Sequence, residues 1–185
     1  HEVPMRVAAE EGTRKGIRDH STIGIVVTTD GSVTELARED YAPAEARVVA
    51  ELRDIGKPFL VLLNTADPAG ERAQSLAADL SAQYDAACLP VNCQTLTEQD
   101  VLEILRTILY EFPVAEACFR MPEWMDVLPP DNAVKQQLYA RLREQMPSLR
   151  CLRQARRTAQ ALSEDPLLES ADVERIGVDT GSVCY

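Results

Sequence analysis

Three short stretches of this chain are apolar throughout, and each runs through a polar turn into a helical stripe. They are Ile23-Gly24-Ile25-Val26-Val27, Phe59-Leu60-Val61-Leu62-Leu63 and Ala87-Cys88-Leu89-Pro90-Val91. A strand with one wet face alternates apolar and polar residues, so an unbroken apolar run predicts a strand buried on both faces. Buried strand, turn and helix in repeated order predict parallel strands joined by right-handed crossovers. The pattern constrains residues 1–113 to an α/β fold, part of a doubly wound parallel sheet. Pro90 cannot donate to a ladder, which puts the third strand at a sheet edge.

The helices follow from spacing. Behind the first run, Pro43 suits a first helical turn, with Ala44, Val48, Leu52 and Ile55 on one face and Gly56 closing the element. Behind the second, Ala73, Leu76, Ala77, Leu80 and Tyr84 make the stripe. Behind the third, Thr97 and Asp100 approximate a capping box before Val101, Ile104, Leu105, Ile108 and Phe112. A helical pattern over Pro4 to Ile17 precedes the first run, so strands are expected upstream of it.

After Pro113 the style changes, and residues 114–185 are expected to form a second, smaller α or α+β segment. Val114 to Met121 reads as a strand, followed by two helical segments divided at Pro147. Seven basic residues face one acid, Glu144, between Lys135 and Arg157. Around the stripe Leu149, Leu152, Ala155, Ala159 and Leu162 they read most simply as a solvated helix face, with a partner site as the alternative.

Charge and composition remove several function classes. The net charge is −11, from 19 basic and 30 acidic residues, which argues against coating nucleic acid. No apolar run approaches the roughly 20 residues a bilayer needs, and the polar, helical opening His1-Glu2-Val3-Pro4 is not expected to be a signal peptide. The five cysteines lack CxxC spacing and read as reduced thiols of a cytoplasmic protein. With His1 and His20 the only histidines, no metal site is expected. The chain lacks an initiator methionine and stops just after a turn signal, and is expected to be an internal segment of something longer.

In open α/β sheets ligands bind beyond the carboxyl ends of the strands. Two loops hold that position. Thr28-Thr29-Asp30-Gly31 offers hydroxyls and a carboxylate, and is the candidate phosphate-side loop. Asn64-Thr65-Ala66-Asp67 resembles the Asn-Lys-x-Asp base-recognition motif of GTPases, with Thr65 in place of the lysine. Both also match ordinary turn chemistry. No Gly-x-x-x-x-Gly-Lys-Ser/Thr loop and no nucleophile elbow occurs, so no catalytic residue is expected in the segment itself.

Short blocks in a fixed order resemble the stage IV sporulation protein A family. They are His1-Glu2-Val3-Pro4-Met5, Gly12-Thr13-Arg14-Lys15, His20-Ser21-Thr22-Ile23-Gly24, Glu45-Ala46-Arg47-Val48-Val49, Gly56-Lys57-Pro58-Phe59, Leu63-Asn64-Thr65 and Leu109-Tyr110-Glu111-Phe112-Pro113. The resemblance implies a domain akin to translation-factor GTPases that binds ATP and magnesium mainly through residues upstream of His1. It further implies a self-assembling ATPase, located in the mother-cell cytoplasm at the forespore outer surface. There it would polymerise with itself, receive other spore coat proteins, and touch membrane only through regions beyond Tyr185. On this reading residues 1–113 are the C-terminal half of the ATPase domain, and 114–185 begin the middle domain. Asn64 and Thr65 match the family's departure from the GTPase motif, whereas Asp67 keeps the GTPase residue. Two other readings stay open: a GTP-dependent switch or ribosome-associated factor, and a non-enzymatic scaffold.

Overall fold

The computed structural model describes residues 15–185. The expected helix over Pro4 to Ile17 therefore lies mostly outside the described residues, although residues 15–20 are helical. The chain divides into two compact units at Glu111 and Phe112.

In the first unit, β1 (Gly24–Thr29), β2 (Phe59–Asn64) and β3 (Cys88–Val91) form a parallel sheet in the order β1-β2-β3. Pro90 lies in β3, an edge strand, as its missing donor requires. The crossovers are α1 (Arg38–Ile55) and α2 (Glu71–Tyr84), and α3 (Glu98–Tyr110) follows β3. One face of the sheet packs Val26, Phe59, Val61 and Leu63 against Val49 and Leu52 of α1 and Ala77, Leu80 and Tyr84 of α2.

Three helices differ from their expected faces. α1 begins at Arg38, so Pro43 sits inside it rather than in its first turn. Glu39 and Asp40 favour that earlier start, because acids suit the positive end of a helix. The buried face of α1 is Glu45, Val49 and Leu52, while Ala44 is exposed and Val48 half-buried. A charged residue thus occupies a core position that hydrophobic periodicity assigned to its neighbour. In α2, Leu76 is only partly buried, with Ala73, Ala77, Leu80 and Tyr84 fully so. In α3, Ile104 and Ile108 are buried, but Val101 and Leu105 are 44% and 52% exposed.

The exposed part of α3 belongs with a second observation. Ile25 and Val27 of β1, in register with the buried Leu60 and Leu62, are 47% and 60% exposed. Among the described residues, this second face of the sheet is covered over β2 and open over β1. The capping box is present: Thr97 Oγ1 accepts from the Asp100 amide at 3.2 Å, and Asp100 Oδ2 from the Thr97 amide at 2.8 Å.

The second unit holds β4 (Glu116–Cys118), β5 (Arg175–Gly177) and β6 (Ser182–Cys184) in the order β4-β6-β5. β4 runs parallel to β6, and β5 is its antiparallel hairpin partner. The expected strand over Val114 to Met121 is thus three residues long, and the hairpin at the carboxyl end was not expected at all. Its strands are too short to show a period. The helices are α4 (Trp124–Val127), α5 (Ala133–Gln145) and α6 (Ala155–Ser163). Met125, Leu138, Leu142 and Leu162 pack with Phe119, Met121 and Leu168. The stripe Leu149, Leu152, Ala155, Ala159 and Leu162 is buried, but its first two residues precede α6, Leu152 in a single 3-10 turn of helix over Leu152–Gln154. Arg141, Arg143, Arg150, Arg156 and Arg157 are exposed.

The cysteines do not all remain thiols, contrary to the sequence expectation. Cys118 and Cys184 are disulfide-bonded, and Cys88, Cys93 and Cys151 are in no disulfide. The reason is register: the two are direct partners across β4 and β6, with Cα atoms 4.6 Å apart, although 66 residues separate them in sequence.

Candidate functional site at the strand ends

Parallel pairing brings the carboxyl ends of β1, β2 and β3 to one side of the sheet, and three polar loops meet there. Asp30, at the end of β1, is the hub. Its Oδ1 accepts from the Ser32 amide at 2.9 Å and the Ser32 hydroxyl at 2.6 Å, and its Oδ2 from the Thr65 hydroxyl at 2.7 Å. Gly31 turns the chain here with a φ of 86°, which a side chain would resist. Ser32 Oγ in turn accepts from the Ala66 amide at 2.9 Å, tying the first loop to the second. Asn64 Oδ1 accepts from the Cys93 amide at 3.0 Å, and Asn92 Nδ2 donates to the Ala66 carbonyl at 3.4 Å, tying the second to the third.

This network sets the charge at its centre. Burial by itself raises the Asp30 pKa, but the Ser32 hydroxyl, the Thr65 hydroxyl and the Ser32 amide outweigh it and hold it below the ordinary 3.8. Asp30 is therefore an anion, braced from two strands. Thr65, 1% exposed, has its hydroxyl committed to that brace. Asp67 takes no part through its carboxylate. It is exposed, and its Oδ2 lies where a side chain on Gly70 would otherwise sit, 2.7 Å from the position of a Cβ there.

Thr28 faces the other way. Arg38 donates to Thr28 Oγ1 at 3.2 Å and to Glu45 Oε1 at 2.8 Å, and the Tyr84 hydroxyl donates to the same Glu45 oxygen at 2.8 Å. Glu45 Oε2 is buried and meets no hydrogen-bond donor; the Thr28 hydroxyl pulls on the carboxylate without closing a bond to it. Burial would raise the Glu45 pKa, but Arg38, Thr28 and Tyr84 together hold it below the ordinary 4.5. The same contact and burial push Tyr84 up to about 12, and burial pushes the Cys88 thiol up to about 12. A hollow of about 210 Å³ opens beside this cluster between β1 and α1, lined by Ile25, Val27, Thr28, Tyr41 and Val48.

The structure thus brings Asp30 and Thr65 together and places Asn64 beside them. It turns Thr28 toward α1 and leaves Asp67 at the loop surface. Thr29 accepts from the Gly31 amide at 3.1 Å and serves the turn. Sequence reading missed Ser32, though Asp-x-Ser is a pattern in which the aspartate bonds its own backbone two residues on. It also missed Glu45 and Arg38, which no motif marks. Among the described residues, no group of three or more His, Cys, Asp or Glu is arranged to hold a metal ion, and no helix is long and apolar enough to cross a membrane.

Comparison with known proteins reaches both units. Residues 1–113 match the family model for the stage IV sporulation protein A ATPase domain, and residues 114–184 match its middle domain. Stage IV sporulation protein A of Bacillus subtilis and that of Bacillus anthracis are each 38% identical over 179 residues, 97% of this chain. The Clostridioides difficile protein of the same name is 37% identical over 95% of the chain. In each case the chain spans 36% of the relative's length. No solved structure matches the chain. With both domain models matched in order over nearly all of its residues, the chain belongs to the stage IV sporulation protein A family.

Proposed function

We propose that this chain carries the base-reading half of a nucleotide site in a self-assembling ATPase. That ATPase builds the basal layer of the spore coat on the forespore surface, with hydrolysis driving polymerisation. The observation that carries the reading is the bond from Thr65 to Asp30 within three joined strand-end loops. Where guanine-reading GTPases place a lysine stem over the base, this chain has a short hydroxyl turned inward as a brace. Asp67 stays at the surface, free of that brace.

The residues fit ATP on one side only. Asp67, exposed beyond the brace, suits the base edge, and Asn64 and Thr65 hold the loops that present it. No run of glycine amides suits the phosphates, and no described acidic cluster suits magnesium. We assign both to residues upstream in the longer protein, together with the strands of a P-loop GTPase-like sheet. The edge of β1, unpaired among the described residues, is the place for those strands. Phosphate release and pelleting of the full-length protein with Mg-ATP test the proposal. Hydrolysis coupled to assembly is expected. Assembly without hydrolysis would favour the scaffold reading, and turnover confined to GTP would favour the switch.

A further inference from the structure

The Cys118–Cys184 disulfide closes a ring that contains every helix of the second unit, because it joins the unit's first strand to its last. It also pins β6, the central strand of its sheet, at one end. Both cysteines are half-buried rather than sealed, and both line an open cleft of about 820 Å³. Arg120 and Arg143 line the same cleft, and cationic side chains favour the thiolate that leaves when a disulfide opens. Arg120 is partly spent on Glu174, 2.5 Å away, whereas Arg143 is exposed. Backbone bonds of a different kind flank the bridge: the Tyr185 amide donates to the Cys118 carbonyl at 2.9 Å, and the Arg120 amide to the Tyr185 carbonyl at 2.7 Å. The sheet thus has a way to hold its register while the bond is open.

We propose that Cys118 and Cys184 form a reversible thiol–disulfide couple, a latch whose opening by a dithiol reductant loosens the second unit. One thiolate of the reductant attacks one sulfur of the bridge, and the other cysteine leaves as a thiolate and takes up a proton. The reductant's second thiol then resolves the mixed disulfide. Two electrons and two protons pass to the protein, and the reductant becomes a cyclic disulfide.

The test is peptide-mapped alkylation and thermal melting of the air-oxidised full-length protein, with and without dithiothreitol under native conditions. Before reduction, Cys118 and Cys184 should escape the label even in denaturant, while Cys88, Cys93 and Cys151 take it. Native reduction should expose the pair, lower the melting temperature of the unit by about 10 °C, and reverse on reoxidation. Cys184→Ser should match the reduced protein and ignore dithiothreitol. If that variant does not fold, the reduced wild type carries the comparison. Labelling of both cysteines before reduction would overturn the proposal. So would a bond that opens only after unfolding, or an opening that leaves the melt unchanged.

Discussion

At the scale of single residues, two buried carboxylates organise the first unit, and neither is an ordinary surface acid. Glu45 holds Arg38 and Tyr84 on one oxygen, with its side chain 3% exposed and that of Arg38 16% exposed. Removing one partner of a buried pair strands the other, so Glu45→Ala should destabilise the unit by about 3–5 kcal/mol in chemical denaturation. The folded pKa of Glu45 lies below its ordinary 4.5, so its contribution is complete above that pH and drains as pH falls below it. Acid melts should show that decline, and Glu45→Gln should flatten it. Asp30 makes a parallel case. Thr65→Val keeps the shape and removes the donor to Asp30 Oδ2, with an expected cost of about 1–3 kcal/mol. Thr65→Ser should restore most of it. A Thr65→Val change under about half a kilocalorie would mean that water replaces the hydroxyl.

At the scale of elements, the strands were legible because each apolar run is short, unbroken and bounded by turn residues. β3 lies inside its apolar run, β1 and β2 run past theirs by two residues and one, and the Thr97 cap fixes the start of α3. The helix faces were less legible, for a physical reason. Periodicity reads Ala44 as inward because it is apolar, but the position that points inward belongs to Glu45, whose charge is compensated by Arg38 some seven residues earlier. Val101 and Leu105 are apolar for a surface that the described residues do not cover. The hairpin of β5 and β6 left no periodic trace, and the disulfide depends on a register that spacing alone cannot show. Leu80, 2% exposed at the centre of the α2 stripe, is the direct check on the crossover: Leu80→Ala should cost about 2–5 kcal/mol. A negligible cost would mean that α2 does not seal that face.

At the scale of the whole molecule, the candidate site was half legible. Its position followed from strand direction, and Asp30, Asn64 and Thr65 were named for being at strand ends. Their roles depended on which side chains the fold brings together, and Ser32 became visible only then. On the proposed function, this corner of the sheet faces a nucleotide base, with Asp67 left free to meet it. Asp67 accepting from guanine donors would make its removal costly for GTP by about 1–3 kcal/mol, while adenine offers no matching pair of donors at that edge. The measurement is ATP and GTP turnover by the full-length protein, wild type against Asp67→Ala. GTP turnover should fall by about 5- to 150-fold, that energy expressed as a rate ratio, with ATP turnover little changed. Equal losses for both nucleotides, or no loss in either, would mean that the base is read elsewhere and that Asp67 is a turn residue alone.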